Sequence, residues 1–192
     1  MALDPKMLNS LVRRVQPADF LRCTPWAHRA TPLGMGYGET RFASPSKAFK
    51  LVYIAEDLPT AIAEAIVRDR FEGKTVRRLM MADVEGWGVC EVTATRPLRL
   101  LSLRGDACFK LGISTDIVGA KAHAEARAFS QELYDTTDLD GIIYHSRLRR
   151  KNCMAIYDRA VTSALSATKV VQLERLAALV PALKSLKIEV IS

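Results

Sequence analysis

The stretch FKLVYIAEDLPTAIAEAI, residues 49–66, contains a strand pattern followed at once by a helix pattern. Residues 49–55 form a compact apolar run rich in residues that favour strands, so the pattern predicts a strand there. Asp57 is a suitable helix N-cap, and Pro59 suits the first helical turn that follows it. A strand that leads directly into a helix is therefore the unit from which the rest of the fold can be predicted.

The spacing of apolar residues indicates which face of this helix is buried. The predicted buried stripe is Leu58, Ala61, Ile62, Ala65 and Ile66. Glu64 falls well away from the centre of that stripe, because successive residues of a helix are rotated by about 100°. One interpretation is a solvent-facing Glu64 paired with Arg68 four residues later, which would contribute a few tenths of a kcal/mol.

The remaining segments predict strands that occur in groups, with helices between the groups. The other predicted strands are residues 20–23, 76–84, 89–93, 98–103, 141–144, 153–157 and 187–191. The predicted helices are residues 3–15, 117–134 and 173–183, the last interrupted or kinked at Pro181. This grouping favours an α+β fold with largely antiparallel sheets and flanking helices. We expect a single domain over residues 1–192, with residues 1–18 as an N-terminal helical extension, because no Pro-, Gly- or Ser-rich stretch divides the chain.

Composition excludes several classes of protein. The 192 residues are 49% hydrophobic and 26% charged, which is typical of a globular domain and not of a disordered or fibrous chain. The net charge of +7 favours an anionic partner, whether nucleic acid, a phosphorylated metabolite or an acidic protein. No apolar stretch approaches the roughly 20 residues of a membrane span, and the N-terminus is too polar for a signal peptide. We therefore expect a cytoplasmic protein that does not contact a membrane.

Cysteine and histidine usage gives no sign of a disulfide framework or a metal site. The four cysteines are scattered along the chain without a C-x-x-C pair, so we expect reduced thiols. The three histidines lie far apart and lack the spacing of local metal ligands, so we expect no metal.

A set of polar residues could bind a nucleotide and act on its ribose. These residues are Arg22, Arg41, Tyr53, Glu64, Ser146 and Arg147. Guanidinium groups match phosphate oxygens, and a tyrosine ring can stack on a planar ring. A carboxylate can stabilise positive charge on a ribosyl carbon, as in glycoside cleavage. Composition and spacing leave open the alternative that these are structural arginines, a core tyrosine and a surface glutamate.

Five blocks of the sequence resemble the RES-domain toxins of bacterial toxin–antitoxin pairs. They are DFLRCTP (19–25), GETRFASP (38–45), LVYIAEDLPTAIAEAI (51–66), DGIIYHSR (140–147) and NCMAIYDR (152–159). They occur in the order of the family and extend over most of the chain. Tyr53 and Glu64 are eleven positions apart, which places the tyrosine on the strand and the glutamate one helix later, as in the family.

The resemblance implies a fold like that of diphtheria-toxin-type ADP-ribosyltransferases, with NAD as the substrate. Glu64 would be the catalytic carboxylate, assisted by Tyr53 stacked near the nicotinamide and by Arg22. The implied NAD-binding residues are Arg22, Arg41, Tyr53, Ser146 and Arg147. This role suits the position of Glu64, because a carboxylate away from the buried stripe could face a cleft.

Two aspects of the resemblance leave the acceptor of ADP-ribose open. Family members often have a Gly-x-Gly-Arg-Phe/Trp-Asn-like stretch in the second block, whereas this chain has Glu39, Thr40 and then Arg41 and Phe42. The Arg-Phe pair is kept, but the preceding loop differs. The family also includes members that transfer ADP-ribose to a protein and others that transfer it to water or phosphate.

The resemblance also implies a partner, a helix-turn-helix antitoxin of the Xre type that binds the toxin in a hetero-oligomer and makes the DNA contacts. One alternative is a nucleic-acid-directed toxin, such as a ribonuclease, that uses the basic surface. Against it, the basic run at residues 147–151 lacks interleaved aromatic residues for base stacking. The other alternative is a non-catalytic binding subunit.

Overall fold

A nine-stranded sheet forms the centre of the molecule, and two further strands form a small second sheet. The structure, a computed structural model, describes residues 4–191. The strands are β1 Val12–Val15, β2 Phe20–Pro25, β3 Leu51–Ala55, β4 Arg78–Met80, β5 Trp87–Ala94, β6 Leu98–Ser102, β7 Gly141–His145, β8 Asn152–Tyr157, β9 Leu165–Ala167, β10 Val171–Gln172 and β11 Glu189–Ile191. The helices are α1 Pro5–Leu11, α2 Leu58–Ile62, α3 Ala82–Glu85, α4 Ala107–Leu111, α5 Asp116–Gly119, α6 Ala124–Thr136, α7 Asp158–Ala164 and α8 Leu179–Ser185. Short 3₁₀ turns at Trp26–His28 and Leu173–Arg175 and a π turn at Ala63–Val67 complete the set.

Over the described residues, the main sheet is antiparallel at every strand pair except one. Its order is β1-β6-β7-β8-β3-β2-β5-β10, and β9 also pairs with β5. The single parallel pair is β6 with β7, and the small sheet pairs β11 with β4 in parallel. The predicted α+β class with largely antiparallel sheets is therefore confirmed.

The central strands are buried on both faces. Adjacent residues alternate between two core clusters, as for Ile142 and Ile143 of β7, because side chains of a strand point to opposite faces. A third cluster packs α2 and α8 against Leu79 of β4 and Ile188. Each fully buried aliphatic side chain in these clusters contributes about 1.5–3 kcal/mol relative to an exposed one. In residues 4–191 no helix is long and apolar enough to span a bilayer.

The strand–helix unit forms where the sequence predicts it. The Asp57 carboxylate accepts a hydrogen bond from the Thr60 amide at 2.8 Å, so Asp57 is the N-cap of α2. After Ile62 the helix widens into the π turn, which is closed by the Arg68 amide bonding to the Ala63 carbonyl at 2.8 Å. Arg68 ends this turn with a φ of +44°, which is uncommon for a residue with a side chain.

The predicted N-terminal helix is wrong beyond Leu11. Residues 1–3 lie outside the described part of the chain, and α1 covers only Pro5–Leu11. Val12–Val15 instead forms β1, the edge strand that pairs with β6. The edge of the sheet offers these residues unpaired backbone groups, and that long-range pairing overrides the local helix pattern. The expected helical extension is thus partly a strand of the main sheet.

Three other predicted boundaries differ from the structure. Residues 76–84 form only the short strand β4 and then α3. The predicted helix over 117–134 is broken, because Gly119 ends α5 and Ala120 is extended before α6 begins. The predicted helix over 173–183 begins only at Leu179, which places Pro181 in its first turn, where a missing amide hydrogen costs no helical bond.

Candidate active site

A cavity of about 520 Å³ lies against one face of the main sheet. Its floor includes one residue from each of four neighbouring strands, and these residues are aligned by the strand register: Leu21, Ala55, Cys153 and Tyr144. The helical segment that follows β3 lines one side of it. The volume is within the range of roughly 300–1,000 Å³ found for small-molecule sites.

The structure brings most of the predicted site residues to this cavity. Those that line it are Arg22, Arg41, Tyr53, Glu64 and Arg147. Ser146 is not among the lining residues, since its side chain is only 1% exposed and lies against Glu64. The residues come from separate segments between positions 22 and 147, and the central strands of the sheet place them together.

Glu64 is held in place by the turn between β7 and β8. Ser146 Oγ donates a hydrogen bond to Glu64 Oε1 at 2.6 Å. The same hydroxyl accepts bonds from the amides of Leu148 and Arg149, at 3.2 and 3.1 Å, so its own orientation is fixed. The Arg68 guanidinium bonds to the Glu64 main-chain carbonyl at 3.1 Å rather than pairing with its carboxylate as the spacing suggested. The half-buried Glu64 carboxylate therefore faces a cavity from a fixed position.

Two tyrosines lie near Glu64. The Tyr53 hydroxyl accepts a bond from the Phe42 amide at 3.2 Å and shares another with Thr40 at 2.9 Å, which fastens residues 40–42 to β3. Burial raises the pKa of Tyr53, and burial together with nearby Cys153 and Glu64 raises that of Tyr144 well above its usual value. Both phenols are therefore neutral at physiological pH.

Tyr144 is a site residue that the sequence analysis missed, although a signal for it exists. It lies two positions before Ser146 at the end of β7, and alternate residues of a strand share a face. Cys153, which is in register with Tyr144, lines the cavity as well. Burial raises the pKa of the Cys153 thiol. It also raises the pKa of the Cys23 thiol, to about 12, so both behave as neutral groups of the floor.

Cationic residues outnumber acidic ones on the cavity lining, which has Arg22, Arg41, Arg68, Lys121 and Arg147 against Glu39, Glu64 and Asp69. Arg41 is half-buried and bonds to the Ile117 carbonyl at 3.4 Å, and burial lowers the pKa of its guanidinium while Tyr144 and Glu64 oppose that effect. Arg147 bonds to Asp69 at 2.7 Å. The cavity therefore suits an anionic ligand.

Arg22 is arranged differently from the other arginines. It is in register with Cys90 on β5, and its Nη2 donates to the Gly34 carbonyl at 2.7 Å. Its Nη1 is buried and has no hydrogen-bond partner among the described residues. Burial lowers the pKa of this guanidinium. Leaving a buried donor unpaired costs about 1–3 kcal/mol.

Lys121 and His123 also line the cavity and were not predicted. Both lie in the break between α5 and α6, and His123 Nδ1 is 3.1 Å from the Glu39 carbonyl oxygen. The sequence analysis did not identify them because it predicted one continuous helix over this stretch. In the described part of the chain, no three His, Cys, Asp or Glu side chains converge as metal ligands.

Comparison with known proteins agrees with this fold. Residues 11–178 match the family described as the RES domain. A probable toxin of Sinorhizobium fredii (strain NBRC 101917 / NGR234), y4kH, is 33% identical over 82 residues, which are 42% of this chain and 65% of that relative. The alignment thus covers a little under two thirds of the relative. The toxin of the M. tuberculosis MbcT-MbcA toxin-antitoxin complex has the same fold, with a TM-score of 0.67 over 96% of this chain and 98% of the other at 14% identity.

Proposed function

The chain belongs to the RES domain family, and from that premise we propose that it is the toxin of a toxin–antitoxin pair and cleaves the nicotinamide–ribose bond of NAD. The observation that carries the proposal is the Glu64 carboxylate, held by Ser146 at 2.6 Å in a cavity that Tyr53 and Arg41 also line. A carboxylate beside a cleft lined by cationic groups suits a substrate that is anionic at its phosphates and gains positive charge at its ribose.

Each residue has a chemical task in this proposal. When the bond from the ribose to nicotinamide breaks, its electron pair leaves with nicotinamide, and the ribose carbon gains positive charge. Glu64 stabilises that charge electrostatically, and Ser146 fixes the carboxylate before the reaction begins. Tyr53 stacks near the nicotinamide ring. Glu64, Tyr53 and Arg22 thus form the catalytic group.

The NAD phosphates are held by arginines. The unpaired Nη1 of Arg22 supports this assignment, since a phosphate oxygen would satisfy it. Arg41 and Arg147 add positive charge on the cavity lining. No step of this reaction requires a metal.

We further propose that an Xre-type helix-turn-helix antitoxin binds this chain and that both proteins are cytoplasmic. The toxin–antitoxin complex of the structural neighbour supports a partner of this kind, and the net charge of +7 suits an acidic segment. The four free cysteines suit a reducing compartment.

The proposal is tested by incubating the purified chain, free of antitoxin, with NAD and clarified cell lysate. Mass spectrometry then measures free nicotinamide and ADP-ribosylated protein. We expect nicotinamide release. Absence of release would contradict the proposal, and cleavage of RNA by the same preparation would support the nucleic-acid-directed alternative instead.

Replacing Arg22 is expected to weaken NAD binding. Arg22→Ala removes a charge-assisted contact worth about 1.5–3 kcal/mol, which corresponds to an increase of roughly 10- to 150-fold in the Kd for NAD. Calorimetry measures the Kd. Arg29→Ala is the matched control, because Arg29 is exposed over the Trp26 ring and does not line the cavity. An unchanged Kd in the Arg22 variant would reject its assignment to the phosphates.

Replacing Ser146 is expected to lower kcat and leave KM nearly unchanged. Ser146→Ala frees the Glu64 carboxylate to move, and the loss of one hydrogen bond to a charged group, about 1.5–3 kcal/mol, lowers kcat by at least tenfold. Steady-state kinetics separates kcat from KM. Ser44→Ala serves as the control, since Ser44 is also a buried, hydrogen-bonded serine but lies away from the cavity lining. A variant with normal kcat would show that Ser146 supports only the turn.

A further inference from the structure

A smaller cavity of about 320 Å³ adjoins the candidate active site. The two cavities share the residues Arg68, Asp69, Lys121, Arg147 and Leu148. The π turn separates them, because Glu64 lines the first cavity while Ala63 and Val67 of the same turn line the second. A group bound in the second cavity therefore contacts residues that also line the candidate active site.

The second cavity has an apolar floor. Val67, Leu186 and Ile188 are buried, and Phe71 is half-buried beside them. This floor belongs to the cluster in which α2 packs against α8. Apolar surface of this kind suits hydrocarbon side chains, and water or a free inorganic anion would gain nothing from it.

The rim of the second cavity carries an excess of positive charge. Its cationic residues are Arg68, Arg77, Lys121 and Arg147, and its acidic residues are Asp69 and Glu72. The acidic residues are already paired, Asp69 with Arg147 at 2.7 Å and Glu72 with Lys121. The other two arginines bond to main-chain carbonyls, Arg68 to that of Glu64 and Arg77 to that of Leu186, each at 3.1 Å. Since a guanidinium has five donors, both can still bind a carboxylate.

We propose that this second cavity is the acceptor site and that the acceptor is an Asp or Glu side chain on an acidic segment of a target protein, flanked by apolar residues. The proposal rests on the proposed cleavage of NAD and names the acceptor class which that cleavage leaves open. The cationic rim attracts the carboxylate, and the apolar floor holds its neighbours.

The transfer to a carboxylate balances without a proton donor or acceptor. The bond between the ribose carbon and the nicotinamide nitrogen breaks, and its electron pair neutralises the pyridinium charge. A lone pair of the acceptor carboxylate forms the new carbon–oxygen bond, which removes the negative charge of the acceptor. Glu64 Oε1 already accepts a hydrogen bond from Ser146, and the carboxylate needs only to stabilise the positive charge on the ribose carbon.

The test uses the full chain, NAD and two synthetic peptides, one with a single Glu between Leu and Phe and the other with Gln in its place. Mass spectrometry measures both the labelled peptide and the released nicotinamide. We expect labelling of the Glu peptide at least tenfold above that of the Gln peptide. Arg77→Glu should lower the ratio of labelled peptide to nicotinamide at least tenfold, and Arg77→Lys should restore most of it.

Arg78→Glu is the matched control, because Arg78 is the adjacent residue, pairs with Glu189 on the surface and lines neither cavity. It makes the same change in charge and should leave the ratio unchanged. Equal labelling of the two peptides, or an unchanged ratio in Arg77→Glu, would overturn the acceptor assignment. Nicotinamide release without labelling of the Glu peptide would overturn the acceptor assignment and leave the proposed NAD cleavage standing. Absence of release by the wild-type chain would overturn the proposed NAD cleavage itself.

Discussion

Glu64→Gln is expected to lower the rate of nicotinamide release by about a thousandfold and to abolish toxicity. The substitution keeps the shape of the side chain, and its amide oxygen can still accept the Ser146 bond. It removes the negative charge that the proposed mechanism uses to stabilise the ribosyl cation, and removing one such electrostatic group typically costs about 10²- to 10³-fold in kcat. The free energy of unfolding should change by no more than about 1 kcal/mol.

Nicotinamide release, growth of cells expressing the variant, and thermal unfolding together measure this outcome. The matched control is Glu91→Gln, the same substitution at an exposed position of β5. A Glu64→Gln variant that is folded and as toxic as the wild-type chain would remove Glu64 from the mechanism.

The largest expected effect on stability is that of Gly141→Ala. Gly141 begins β7 beside β8, and a Cβ added there would lie 2.2 Å from the Ala155 carbonyl oxygen and 3.0 Å from Ile156 Cα. Those atoms belong to the backbone of the paired strand, so they cannot move without separating β7 from β8. We expect a loss of about 3 kcal/mol, the upper part of the range for overpacking, and a fall in Tm of roughly 6–12 °C.

Chemical and thermal denaturation measure this loss. Gly119→Ala is the control, because an added Cβ there meets no atom within 4 Å from the described residues beyond its chain neighbours and its own helix. We expect that control to be neutral or slightly stabilising. Equal stability of the two variants would show that the strands separate easily at Gly141.

Local signals account for the parts of the fold that could be predicted. The apolar run at Leu51–Ala55 and the N-cap at Asp57 act within a few residues, so the strand and the start of the helix follow from them. Val12–Val15 has an equally local helix pattern, but its pairing with β6 depends on residues far along the chain. Ala63, Ile66 and Val67 of the π turn pack in one cluster with residues of α8, so their surroundings come from a segment far along the chain.

The candidate site shows the same division. Physical reasoning identified the residue types that suit a nucleotide, and the resemblance to a family selected among them. Neither the physical reasoning nor the resemblance could predict the 2.6 Å contact between Ser146 and Glu64, because it joins residues 82 positions apart. The sequence around Arg77 does not indicate that it lines a cavity. Other residues of the second cavity come from the segment after the π turn and from just beyond α8, at Leu186 and Ile188, which are distant from Arg77 in sequence.

The position of β8 in the sheet has a consequence for the timing of synthesis. β8 lies between β7 and β3, so the row of residues that floors the cavity is interrupted until β8 is in place. A ribosome makes Asn152–Tyr157 only after the segments that carry the other three floor residues, Leu21, Ala55 and Tyr144. A chain that stops before Asn152 therefore lacks the strand that joins Tyr144 to Ala55 across the cavity floor.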